Sequence, residues 1–400
     1  MTAKTSKKGH RGSSDPLECF DHRIRHWFLN AVGKPSAIQD AAWPRIATGS
    51  HLLMTAPTGS GKTLAAFLWA LNQLLSGTWS TGRPRVLYVS PLKALNTDVR
   101  RNLLAPLEAL APLFTVQGKA GPTIRVLTRS GDTTQSDRRR MLRQPPEILI
   151  TTPESLNLML NSRGGQSLLG GLKTVILDEI HAVAGTKRGT HLICAVERLV
   201  ALSGEFQRVA ISATVKPLDA VAEFIGGYVL QGAVGAPEYT RRPVELIQGG
   251  GHKHYQVGIH YPDPDEGQSA KEGIWAPLAD RMVSVANRNR STLVFTNSRK
   301  LSEKMAYLVN AAAGDLMAYA HHGSLAQDLR RQVEARLKRG ELKAVIATSS
   351  LELGIDIGDL DEVVLLQTPP TISSGVQRAG RAGHQVGVVS KTSIYCTHPG

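Results

Sequence analysis

Cysteine is scarce in this chain. Cys19, Cys194 and Cys396 are isolated, with no CxxC spacing, which excludes both a disulfide scaffold and a cysteine zinc site. Long hydrophobic runs are missing too. The longest, Leu64 to Leu71, falls far short of the roughly 20 apolar residues that a bilayer crossing needs. The N-terminus lacks the apolar segment of a secretory signal, so a cytoplasmic setting is expected. Aromatic residues make up only 5% and do not interleave with basic ones, so no base-stacking platform is written in the chain. Acidic residues are outnumbered, 33 against 47 Lys and Arg, leaving a formal charge of +14 that favours an anionic partner, nucleic acid first. Residues 1–14 hold Lys4, Lys7, Lys8 and Arg11 with no acidic residue and read as a disordered basic arm.

What is present starts at Ala56-Pro57-Thr58-Gly59-Ser60-Gly61-Lys62-Thr63. This turn lies between the apolar run Leu52-Leu53-Met54 and a helix-like run from Leu64 to Leu75. Strand, loop and helix in that order bring backbone N–H groups together on a phosphate. The pattern is a P-loop: Thr58, Gly59, Ser60 and Gly61 form the cradle, Lys62 reaches the β- and γ-phosphates, and Thr63 holds Mg²⁺. One position departs from it, because Ala56 stands where the first glycine is usual.

Short apolar runs then alternate with amphipathic stretches. Val86–Val89, Ile124–Leu127, Ile148–Ile150, Val175–Leu177 and Val209–Ile211 read as buried strands, with helices around 92–110, 133–143, 153–161 and 190–202. That alternation predicts a doubly wound α/β domain with a parallel sheet, at residues 15–228. The stretch 229–275, with Gly249-Gly250-Gly251, Pro262 and Pro264, reads as a linker and entry to a second domain. A second α/β domain follows at 276–400, with strands at 293–295, 316–319, 344–347, 363–366 and 386–389 and no second P-loop. One domain with a cradle and one without predict a nucleotide held in the cleft between them.

Chemistry is predicted where Val175-Ile176-Leu177 runs into Asp178-Glu179-Ile180-His181. An acid at the carboxyl end of a central strand lies beside the P-loop. Asp178 would hold Mg²⁺ and Glu179 would polarise the attacking water. Arg378 and Arg381 sit in a helix of the second domain, from which an arginine can cross a cleft and neutralise charge building on the γ-phosphate. The Arg138-Arg139-Arg140 run reads as a solvated helix face, and His321-His322 lacks a third ligand at metal spacing.

These residues resemble the superfamily 2 helicases. Gln39 in Pro35–Gln39 matches the adenine-reading glutamine, and Ala56–Thr63 matches motif I. Pro91–Leu95 resembles motif Ia, Arg129–Thr133 the loop after it, Thr151–Leu156 motif Ib, Asp178–His181 motif II and Ser212-Ala213-Thr214 motif III. In the second half, Val294–Arg299 resembles motif IV, His321–Leu325 the motif after it, Ala347–Gly358 motif V and Gln377–His384 motif VI. The wording Asp-Glu-Ile-His, Ser-Leu-Glu-Leu-Gly-Ile-Asp-Ile-Gly and Gly-Arg-Ala-Gly-His is similar to the large helicase-related (Lhr) family.

The resemblance implies two tandem RecA-like domains with ATP and Mg²⁺ between them. It adds Gly354 and Asp356 to the ATP-binding set and Gln377 to the catalytic one. His384 departs from the pattern, since many superfamily 2 members carry another arginine there. The strand-end residues Lys93, Arg129, Thr152, Asn297, Ser298, His322 and Ser349 are the expected nucleic-acid contacts, made to phosphate and sugar without reading bases. The implied activity is ATP-driven 3′-to-5′ translocation on single-stranded DNA, with unwinding of DNA or RNA:DNA duplexes in DNA repair. A winged helix is expected after the motor domains in that family, and no residue follows Gly400 here. The same motifs would also serve an RNA helicase or an ATP-gated nucleic-acid clamp.

Overall fold

A computed structural model describes residues 15–57, 59–91, 103–115, 121–213, 215–233, 236–249, 254–261, 274–352, 358–383 and 389–396. The strands of the first half are β1 His51–Thr55, β2 Val86–Val89, β3 Val126–Arg129, β4 Ile148–Thr151, β5 Thr174–Leu177, β6 Gln207–Ser212, β7 Tyr228–Ala233, β8 Ala236–Arg241 and β9 Val244–Gln248. Seven of them form one sheet in the order β3-β4-β2-β5-β6-β1-β9. Every pairing in it is parallel. The second half contributes β10 Tyr255–His260, β11 Thr292–Phe295, β12 Ala318–His321, β13 Ala344–Ala347, β14 Glu362–Leu366 and β15 Ser390–Tyr395. They form a second sheet in the order β10-β15-β14-β11-β13-β12, again all parallel.

Parallel strands need helical crossovers, and those helices bury both faces of each sheet. Alternate residues of β1 therefore go to opposite cores. Leu52 and Met54 join one cluster with Trp43, Phe67 and Leu71, while Leu53 joins the other with Leu156, Leu192 and Leu199. The second sheet divides the same way, Val294 and Ile346 to one side and Leu293, Phe295 and Val345 to the other. This is the pair of doubly wound α/β units that the alternation predicts.

The stretch 229–275 differs from its reading as a linker. β9 pairs with β1 at the edge of the first sheet and β10 pairs with β15 at the edge of the second, while β7 and β8 form a separate antiparallel hairpin. The physical reason is exposure. Leu246 is 39% exposed, Val257 51% and Ile259 62%, so these edge strands carry no continuous apolar run to mark them. Strand ends also shift: β3 and β12 each begin two residues later than expected, and β15 lies at 390–395 rather than 386–389.

The N-terminal helices brace the P-loop. Trp43, fully buried in helix Ala37–Ala47, donates its indole N–H to the carbonyl of Ala65 at 3.2 Å, in the helix that follows the loop. Phe20 and Phe28 meet Trp43 edge-on, each with centroids 5.1 Å apart.

Candidate active site

The cradle is built where β1 ends and helix Lys62–Leu75 begins. Gly59 and Gly61 hold φ of +80° and +83°, in the left-handed region that only glycine adopts at low cost. A Cβ on Gly61 would also come within 2.6 Å of Gln39 Nε2. Gln39, buried in the helix from Ala37, accepts from the Ser36 N–H at 2.9 Å and donates to the Gly61 carbonyl at 3.3 Å, while the Ser36 hydroxyl donates to the Ser60 carbonyl at 2.9 Å. The expected adenine reader is thus wired to the cradle itself. Ala56 fits for a local reason: a Cβ on Gly249 would lie 2.7 Å from the Ala56 methyl, so a missing side chain at 249 makes room for the extra one at 56.

Lys62 Nζ donates to the carbonyls of Ala56 and Pro57, both at 2.6 Å. Burial lowers the Lys62 pKa, and the carboxylates of Glu179 and Asp178 pull it back up. Those acids stand at the end of β5, next to β2 and β6 in the sheet. Asp178 is held from both sides, because its Oδ1 accepts from the Glu179 N–H at 2.8 Å and its Oδ2 accepts from the Tyr88 hydroxyl. Burial first, then the charge of Glu179, push the Asp178 carboxyl up to about 7. Glu179 has a positive φ of 47°, rare for a residue with a side chain. Burial raises its pKa while Lys62 and Arg381 draw it down. His181 is pushed down to about 4, mainly by burial, and is therefore neutral. Its Nδ1 accepts from the Ala213 N–H at 3.2 Å and lies 3.1 Å from the Ser212 hydroxyl. Motif II is thereby joined to the end of β6.

The second unit supplies arginines. Arg378, in helix Ile372–Ala379, donates to Glu352 Oε2 at 2.9 Å and to Asn297 Oδ1 at 3.0 Å, and Arg381 Nε donates to the Glu352 carbonyl at 3.0 Å. Two electrostatic couplings cross between the units: Arg381 acts on Glu179 and Glu352 acts on His181. The acids of motif II therefore stand within electrostatic reach of Arg381 and Glu352. Gln377 is half-buried in the same helix as Arg378. Thr58, Lys93, Gly354, Asp356 and His384 lie outside the described residues.

The expected nucleic-acid residues are not alike. Arg129 ends β3, and its carbonyl accepts from the Thr151 hydroxyl at 2.8 Å, which brings it beside Thr152. Thr152 is buried and its hydroxyl caps helix Pro153–Leu160, while Ser298 caps helix Arg299–Ala313. Asn297 donates to the Thr368 carbonyl at 2.9 Å, and buried His322 pairs with Glu303 at 2.9 Å. Ser349 is exposed at the start of a single turn. Sequence reasoning missed Tyr88, which reads only as an apolar strand residue, and gave no role to Glu352, although it is quoted within motif V.

Comparison with known proteins agrees with this arrangement. The DEAD/DEAH box helicase family matches residues 36–222 and the helicase conserved C-terminal domain matches 277–385. The Lhr helicase/probable uracil glycosylase of Mycolicibacterium smegmatis is 40% identical over 96% of this chain and 27% of its own length. ATP-dependent helicase Lhr-Core protein 2 of Thermococcus barophilus is 40% identical over 93% of this chain and 43% of its own. The chain thus spans well under half the length of these relatives. The structure of Mycobacterium smegmatis helicase Lhr bound to ssDNA and AMP-PNP superposes with a TM-score of 0.84, at 43% identity, covering 96% of this chain and 49% of that one. Paired RecA-like units, the helicase motifs in order along them and this likeness agree: the chain belongs to the large helicase-related (Lhr) family of superfamily 2 helicases.

Proposed function

We propose that this chain is an ATP-driven motor that hydrolyses ATP to move 3′ to 5′ along single-stranded DNA and to unwind DNA or RNA:DNA duplexes, in the cytoplasm and in the service of DNA repair. One observation carries the reading: the P-loop and the strand-end acids stand on the first unit while Arg378 and Arg381 stand on the second, tied to Glu352, which is the division of parts that an ATP site shared by two units needs. Gln39 reads the adenine, Gly59 to Gly61 cradle the phosphates and Lys62 leaves its loop carbonyls for the β- and γ-oxygens. Glu179 accepts the proton of the attacking water. Arg381 offsets the charge that grows on the γ-phosphate, and Arg378 and Gln377 hold the helix that presents it. Hydrolysis removes what draws the units together, and alternating closure moves the strand.

The donor set suits Mg²⁺. Thr63 and Asp178 offer hard oxygens, and among the described residues no group of three or more His, Cys, Asp or Glu could hold a metal by itself. A cation held by one or two protein oxygens, with phosphates and water completing its shell, is how Mg²⁺ binds in nucleotide sites. It would neutralise charge between the β- and γ-phosphates. No helix among the described residues is long and apolar enough to cross a membrane.

The test is an ATPase assay with single-stranded DNA, with single-stranded RNA and with no polymer, followed by streptavidin displacement from each end of the DNA. Stimulation by DNA and displacement from one end only are expected. ATPase indifferent to every polymer would sink the motor reading; stimulation without displacement would turn it into a clamp.

A further inference from the structure

The Arg138-Arg139-Arg140 run reads from sequence as a solvated face; Arg139 and Arg140 are exposed and Arg138 is half-buried, and the fold sets two of the three beside an opening. Helix Gln135–Arg143 stands over the ends of β3 and helix Pro153–Leu160, and a cavity of about 320 Å³ opens between them. Arg129, Arg138, Arg139 and Ser162 line it, together with Met141 and Met159, each of these two 3% exposed. Arg140 is not in the lining. Three guanidiniums around one opening call for counter-charge, yet none of the three forms an ion pair with an acid among the described residues. Arg138 donates one N–H to the Gly131 carbonyl at 3.2 Å, while its Nε is buried without a partner among the described residues. Burial, and then the charge of Arg138, lower the pKa of Arg129.

Unpaired guanidiniums at close range are stabilised by an anion that accepts from both, and a phosphate suits their planar fork. The methionine floor suits the apolar face of a sugar or base next to that phosphate. We propose that this cavity holds one nucleotide unit of the bound strand, its backbone phosphate on Arg129, Arg138 and Arg139 and its sugar or base against Met141 and Met159. The inference rests on the nucleic-acid reading above and extends it, because it carries the strand from the ends of β3 and β4 outward across a helix that no motif covers. Interactions of this kind fix position without reading sequence.

The experiment is a salt titration of oligo(dT) binding by fluorescence anisotropy, with the wild-type chain and with Arg138→Ala, Arg139→Ala and Arg140→Ala. Removing one arginine from a phosphate reduces the slope of log K against log salt by about 0.7 for a single strand. Arg138→Ala and Arg139→Ala should each show that drop at unchanged melting temperature, and Arg140→Ala should keep the wild-type slope. Arg138→Lys, which keeps the charge, should recover most of the slope. Equal slopes in all four chains, or an equal drop in Arg140→Ala, would overturn the site while leaving the motor reading intact. A wild-type chain that binds no oligo(dT) would overturn both, and the two failures are told apart by that first measurement.

Discussion

The hydroxyl of Tyr88, on a side chain with no solvent exposure, donates to Oδ2 of Asp178 across the β2–β5 pairing. Tyr88 also stacks on Phe67 of the helix behind the P-loop, with centroids 5.2 Å apart. One aromatic ring thus ties the phosphate helix to the strand that presents the acids. Removing the hydroxyl should free the carboxylate to turn without opening the core. Tyr88→Phe is expected to raise the Mg²⁺ concentration for half-maximal ATPase about tenfold, since a hydrogen bond to a charged group is worth about 1.5–3 kcal/mol. The melting temperature should change little. An unchanged Mg²⁺ dependence would show that Asp178 is positioned by its own backbone alone.

The close approach of Ala56 and Gly249 predicts a reciprocal pair. Gly249→Ala forces two methyl groups to 2.7 Å, with Ile38 also close at 3.3 Å. Overpacking of this kind costs about 1–3 kcal/mol, and here it presses on the first residue of the cradle. ATP affinity and melting temperature should both fall. The double variant Ala56→Gly with Gly249→Ala restores the usual loop glycine and should recover most of each loss. A double variant no better than Gly249→Ala would locate the damage at Ile38 instead.

The central strands were legible because both faces of each sheet are buried, which leaves runs such as Val86–Val89 and Ala344–Ala347 apolar throughout. The P-loop and the strand-end acids were legible because their chemistry is local in the chain. β9 and β10 were not, since half of each edge strand faces water and its residues follow no apolar rule. Pairs such as Tyr88 and Asp178, separated by 90 residues, depend on which strands become neighbours, and strand order is not written in the composition of any one strand. The arginine run was legible as a solvated face, with Arg139 and Arg140 exposed, but helical periodicity does not show what the fold sets beside Arg138.

Arg378 and Arg381 stand three residues apart in motif VI and should behave differently. Arg378 is paired with Glu352 and has a side chain only 3% exposed. Removing one partner of such a pair costs about 3–5 kcal/mol, because the other charge stays buried. Arg378→Ala should therefore lower the melting temperature of the second unit together with activity. Arg381 is also buried, at 4% exposed, and donates to the Glu352 carbonyl, a neutral acceptor, at 3.0 Å. Arg381→Ala should therefore cost less stability than Arg378→Ala, while turnover falls on the order of 10³-fold, as for other arginines supplied across a cleft. Differential scanning calorimetry beside single-turnover hydrolysis separates the two. Equal losses of stability would mean that both are structural.

Stability of the second unit should depend on acid through Glu362, whose side chain is fully buried in β14. Burial alone would raise its pKa. The Ser393 hydroxyl at 2.7 Å, Arg288 at 2.8 Å and the Asn289 amide at 3.1 Å outweigh that and hold it below its ordinary value of 4.5. The folded protein therefore binds this proton less readily than the unfolded chain does. The resulting stability is fully present above about pH 4.5 and declines as the pH falls below it. Urea midpoints for this unit, followed by the fluorescence of Trp275 in helix Trp275–Arg288, should drop as the pH is taken from about 6 to about 4, and Glu362→Gln should start lower and flatten the drop. A variant with the wild-type pH profile would assign the acid sensitivity to other carboxylates.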